Sequence, residues 1–106
     1  MVVVLCNAPP DQARAIAIAV VDSGLAACVN IVPGVQSVFM WEGKRCEDTE
    51  STLLIKAPDA NVDALRSKLR EVHPYQVPEI VVLPVDAARS NTDYVRWVDS
   101  FARRAP

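Results

Sequence analysis

The side chains with the widest chemical reach in this chain are one histidine and three cysteines, and their neighbours narrow what they can do. His73 stands where an amphipathic stretch runs into the loop His73-Pro74-Tyr75-Gln76-Val77-Pro78-Glu79. An imidazole there has two uses. It can cap a helix end and interact with the negative pole, or it can ligate a transition metal, for which it is the commonest side chain. One imidazole alone holds no ion, so the second use needs partners. Cys6 ends the first apolar run, and antiparallel pairing of the first and last strands would bring it near Glu79 and His73. A cysteine, histidine and carboxylate set suits copper or zinc by ligand softness. The same three residues read equally as structural side chains, because free cysteine often packs as a small hydrophobe. Cys28, flanked by Ala26, Ala27 and Val29, reads as core. Cys46 with Glu47, Asp48 and Glu50 is a weak hard-cation candidate and reads better as a solvated ribbon.

The elements that must position these residues follow from periodicity. Val2 to Cys6 is a continuous apolar run, a strand covered on both faces. Asn7-Ala8-Pro9-Pro10-Asp11 leads into a helix whose Ala13, Ile16, Ala17, Val20 and Val21 recur on one face, closed by Asp22-Ser23-Gly24. Pro58-Asp59-Ala60-Asn61 starts a second helix with Val62, Leu65, Leu69 and Val72 as its stripe. His73-Pro74 stops it, since the residue before proline avoids the helical region. Glu79 to Val85 reads as the last strand. Ser90-Asn91-Thr92-Asp93 offers an N-cap for a final helix with an apolar stripe of Tyr94, Val95, Val98 and Phe101. Arg103 and Arg104 suit its negative end.

Between the first two helices lies Ala27 to Ala57, which reads as one long hairpin. Val35, Ser37, Phe39 and Trp41 alternate with Gln36, Val38 and Met40. Glu42-Gly43-Lys44 is the turn, and Pro33-Gly34 predicts a bulge or an edge position, proline lacking the N–H of a ladder. The return arm from Arg45 to Lys56 is polar on both faces from Cys46 to Ser51. Only Leu53, Leu54 and Ile55 look like core. About twelve residues at about 3.3 Å each span roughly 40 Å, against a diameter of roughly 34 Å for a compact chain of this size. The hairpin should overhang its own core. Bare strand edges and the apolar tip Phe39-Met40-Trp41 then call for cover by other copies, which predicts an obligate oligomer.

The order is β-α-β-β-α-β plus a C-terminal helix. This predicts an α+β, ferredoxin-like βαββαβ sandwich with an extended hairpin between its second and third strands. At 106 residues it is read as a single domain, 1–106. A net charge of −2 gives no reason to expect a nucleic-acid partner or an anionic membrane. No apolar run of about 18 residues predicts a membrane span, and the start shows no basic leader. Three cysteines without a Cys-x-x-Cys pair fit a reducing cytoplasm.

Other uses of this topology lack their residues. The loop after the first strand carries two prolines and no glycine where a phosphate-holding loop needs N–H groups. Val2 to Leu5 and Leu53 to Ile55 offer no aromatics for RNA bases. Cys6 stands without the second cysteine of a copper-chaperone pair. No nucleophile–base order is visible, so no enzymatic activity is expected.

The segments VVVLCNAP, GLAACVNIVPGVQSVFMWEGK, LLIKA, HPYQVPEIVVLPV and DYVRWV, in this order over nearly the whole chain, closely resemble the CutA divalent-cation tolerance family. The resemblance implies a cytoplasmic homotrimer, similar in assembly to PII signalling proteins, whose hairpins pair strands between subunits. It also implies Cu(II) binding and a role in divalent-cation tolerance. Of the bacterial family's copper ligands, the cysteine ending the first strand and a histidine before Pro-Tyr match Cys6 and His73. A preceding family histidine is replaced by Val72, leaving Glu79 as a substitute. An alternative from another class is a PII-like signalling or scaffold module, binding a small ligand or protein partner between subunits. A basic cleft around Lys44, Lys56 or Arg96 would favour it.

Overall fold

A computed structural model describes residues 1–103. Four strands form one antiparallel sheet in the order β2-β3-β1-β4: β1 Val2–Ala8, β2 Cys28–Trp41, β3 Lys44–Ala57 and β4 Val81–Pro84. Helix α1, Ala13–Asp22, links β1 to β2, and α2, Val62–Val72, links β3 to β4. The chain continues into α3, Thr92–Asp99. This is the α+β, ferredoxin-like order that the periodicity predicts.

Strand alternation builds the core. Val2, Val4, Cys6 and Ala8 of β1 are buried while Val3, Leu5 and Asn7 are only partly so. In β3, Leu53, Ile55 and Ala57 complete the buried face. Ile16 and Val20 of α1 and Leu65 and Leu69 of α2 close over it. One side of the sheet is thus dry. Its other side, with Val3, Leu5 and Leu54, has no layer on it among the described residues, and the edge strand β4 is exposed.

The hairpin is as long as its sequence indicates. Its two strands pair in register from Cys28↔Lys56 to Trp41↔Lys44, with one shift between Val32 and Val35 where Pro33 and Gly34 stand. Gly34 has φ +71°, a conformation that admits glycine without strain, and the proline lies on an edge strand as its missing N–H requires. The turn is the two residues Glu42 and Gly43, both at positive φ, the geometry that matches strand twist. The molecule measures 43 × 31 × 23 Å, and beyond Val32 and Glu50 the ribbon is mostly exposed.

Four expectations shift. The last strand begins at Val81, because Glu79 and Ile80 belong to the loop. Val21 is exposed at 41%, so the buried face of α1 stops at Val20. In α3 only Val95 and Val98 are buried. Tyr94 and Phe101 are largely exposed and stack through Trp97, ring centroids 5.8 and 5.4 Å apart. Arg103 leaves the helix end and donates to the Ser23 carbonyl at 2.9 Å. Arg104 lies outside the described residues.

Candidate functional site

The β1–β4 pairing ends at Leu5↔Val81, so the end of β1, the end of α2 and the 73–79 loop meet at one edge of the sheet. Helix α2 stops as its sequence demands: His73 has φ −81°, ψ 134°, the extended conformation that a following proline imposes. That turn sends His73 inward, where it is buried. Its Nδ1 accepts the Tyr75 N–H at 3.1 Å and its Nε2 lies 2.7 Å from the Asn7 carbonyl. A carbonyl only accepts, so Nε2 carries the proton and the ring is neutral. His73 therefore ties α2, β1 and the loop together, and both ring nitrogens are occupied.

Tyr75 extends the tie to the hairpin. Its hydroxyl donates to Glu50 at 2.8 Å. Burial and the Glu50 charge push the phenol up to about 12, so it stays a donor. Glu50 is only 7% exposed, which corrects its reading as part of a solvated ribbon. The polar pattern of β3 gave no sign of this, because the cover comes from a loop some 25 residues downstream.

Between the hairpin and this loop opens a cleft of about 700 Å³. Asp48, Glu50 and Glu79 face it together with Phe39, Trp41 and Tyr75. Its lining holds no lysine, arginine or histidine. This cleft is therefore not the basic one around Lys44, Lys56 or Arg96 that would favour the signalling or scaffold reading.

The three sequence candidates occupy three different settings. Glu79 lines the cleft. His73 lies behind it, bonded to Asn7 and Tyr75, which both line it. Cys6 alternates to the helix side of β1 and is fully buried. Burial first, then Glu79 and Glu50, push its thiol up to about 12, so it is neutral at physiological pH. Among the described residues, no three His, Cys, Asp or Glu side chains form a group that could hold an ion. A metal finds three carboxylates spread along the cleft wall and an imidazole already engaged on both sides.

Partial burial, with Glu50 adding its charge, raises the carboxyl of Glu79 above its ordinary value of 4.5. Between the two values folding takes up a proton, so this group's contribution falls as pH rises through that window and stays low above it. Glu79→Gln is therefore expected to gain stability relative to the parent as pH rises from 4 towards neutrality. Urea melts across that range check it, and a difference independent of pH would contradict it.

The chain's likenesses agree on one family. The profile described as CutA1 divalent ion tolerance protein matches residues 2–100. The divalent-cation tolerance protein CutA of Thermus thermophilus is 45% identical over 97 residues, covering 91% of this chain and 92% of its own. The corresponding protein of Pectobacterium atrosepticum is 41% identical over 103 residues, 96% of this chain and 92% of its own. Among solved structures, the PII-like protein CutA from Nostoc sp. PCC 7120, in apo form, superposes with a TM-score of 0.92 at 35% identity, over 97% of this chain and 98% of that one.

Proposed function

This chain belongs to the CutA1 divalent ion tolerance protein family, and from that premise we propose that it binds a divalent cation, copper(II) foremost, at the end of the sheet marked by Cys6, His73 and Glu79. The observation that carries this is the pair Glu50 and Glu79. Each is a carboxylate on the cleft, without a lysine or arginine partner among the described residues, and burial first, then the charge of Glu50, holds the carboxyl of Glu79 up. A cation relieves that repulsion. Oxygen donors accept many divalent ions, and for a given donor set copper(II) leads the first-row series.

Fit differs among the three. Glu79 offers a ligand as it stands. His73 ligates only by giving up the Tyr75 N–H or the Asn7 carbonyl, a loss of roughly 1 kcal/mol per bond. Cys6 fits only as a thiolate, which its burial opposes. The chain thus offers a cation a partial shell, to be completed by water or another copy.

We infer the same route for assembly, a homotrimer whose hairpins pair strands between copies. Both sheet edges are open: β2 bears Val38 and Met40, 63% and 67% exposed, and every residue of β4 is exposed. Such edges seek a partner strand. Free cysteines suit action in the cytoplasm. Among the described residues no helix is long and apolar enough to cross a membrane.

Anaerobic Cu(II) and Zn(II) titration against a competing chelator tests the reading. Copper is expected to bind more tightly than zinc, with affinity falling about tenfold or more in Glu79→Gln and Glu50→Gln on the scale of one charge-assisted contact. His73→Ala should weaken copper more than zinc. Binding unchanged in all three variants would remove the site from this cleft.

A further inference from the structure

One face of the ribbon carries its charges in order. Cross-strand register and alternation put Lys44, Cys46, Asp48 and Glu50 of β3 in one row, opposite Trp41, Phe39, Ser37 and Val35 of β2. The row is basic at the tip and acidic at its root, where Glu79 of the loop joins Asp48 and Glu50 along the cleft. Neither end is balanced within the chain. Among the described residues Lys44, Asp48, Glu50 and Glu79 form no ion pair.

Glu50 makes that imbalance costly. It is more than nine-tenths buried, and its one side-chain hydrogen bond among the described residues, from the Tyr75 hydroxyl, occupies a single oxygen. Covering carboxylates further, as assembly does, is unfavourable unless a cation comes with the cover. Lys44 of the same chain does not reach them. Four positions along the strand separate it from Asp48 and six from Glu50, about 13 Å and about 20 Å, against about 4 Å for an ion pair. The overhang carries the tip away from its own core and towards a neighbour.

A ring of three copies is closed by heterologous contacts, in which two different patches of one chain meet their counterparts on the next. The basic tip and the acidic root are such a pair of patches. We propose that in the assembled protein Lys44 of each copy lies against Asp48, Glu50 and Glu79 of the next and supplies the cation these carboxylates lack. This contact rests on the homotrimer inferred above and fixes how its copies meet. It does not displace the divalent cation, since one ammonium balances only one of three carboxylates.

The test is sedimentation velocity of the full chain over a dilution series, in enough urea to bring dissociation of the parent into range. Lys44→Glu is expected to raise the dissociation concentration about tenfold or more, as when one partner of a covered charge pair is removed. Arg45→Glu makes the same change of charge on the opposite face of the ribbon, and should stay within about twofold of the parent. Asp48→Lys with Glu79→Lys, both at exposed positions, should also weaken assembly, and adding Lys44→Glu to that pair should recover most of the loss. Assembly of Lys44→Glu equal to the parent, an equal loss in Arg45→Glu, or no recovery in the combined variant overturns the contact while the homotrimer stands. A parent that is monomeric at every concentration overturns both.

Discussion

Replacing Asn61 with alanine is expected to destabilise the fold by about 2–4 kcal/mol, as one buried and two partly buried backbone groups lose their partner at roughly 1 kcal/mol each. Asn61 is fully buried at the turn that opens α2. Its Nδ2 donates to the Leu25 carbonyl at 3.1 Å and the Phe101 carbonyl at 3.0 Å, and its Oδ1 accepts the Arg103 N–H at 2.9 Å. One amide thereby joins the segment entering β2, the start of α2 and the chain beyond α3. Alanine removes both functions of the amide at once. Aspartate restores only the acceptor and adds a buried charge, so Asn61→Asp should also be strongly destabilised. Urea denaturation measures both, and a loss below about 1 kcal/mol for alanine, the net value of a single bond, would show that the three carbonyl and amide groups find other partners.

Leu53→Ala is expected to cost about 2–5 kcal/mol, the range for a fully buried leucine whose cavity does not collapse. Leu53 points into the dry side of the sheet at 0% exposure. Its neighbour Leu54 points to the open side and is half-buried in the single chain. If copies of the chain cover that face, Leu54→Ala should lose a comparable amount and lower the assembled mass by sedimentation. If Leu54→Ala instead stays within about 0.5 kcal/mol, the usual surface value, the open face is in water and the homotrimer does not bury it.

These two positions show what the sequence made legible. The local apolar run Leu53-Leu54-Ile55 marked Leu53 as core but gave Leu54 the same reading, and strand alternation in the folded sheet turns Leu54 to the open side instead. The Glu42-Gly43 turn and the Pro33-Gly34 irregularity were equally local, fixed by the φ that glycine allows and the N–H that proline lacks. Asn61 read as one more polar residue at a helix start. Its three bonds reach partners 36 to 42 positions away, and no local pattern encodes that. Glu50 was misread for the same reason, as its cover arrives with Tyr75. In α3 the apolar residues outnumber the positions one face can bury, and periodicity alone did not choose Val95 and Val98 over Tyr94 and Phe101.

The candidate site was half legible. Strand order implied that Cys6, His73 and Glu79 would share one end of the sheet. It carried no information on which way each side chain turns, and that decides their chemistry. Alternation and burial take Cys6 to the helix side, hydrogen bonds engage both nitrogens of His73, and Glu79 alone faces the cleft with Glu50.

The most direct test of a divalent-cation site at this end is anomalous diffraction at the copper edge, from crystals of the protein loaded with one equivalent of Cu(II) per chain. The account requires an ordered copper peak in the cleft, within bonding distance of a carboxylate oxygen of Glu79 or Glu50. An ordered peak only at surface carboxylates such as Asp63 or Asp86, with the cleft empty of copper, would contradict it.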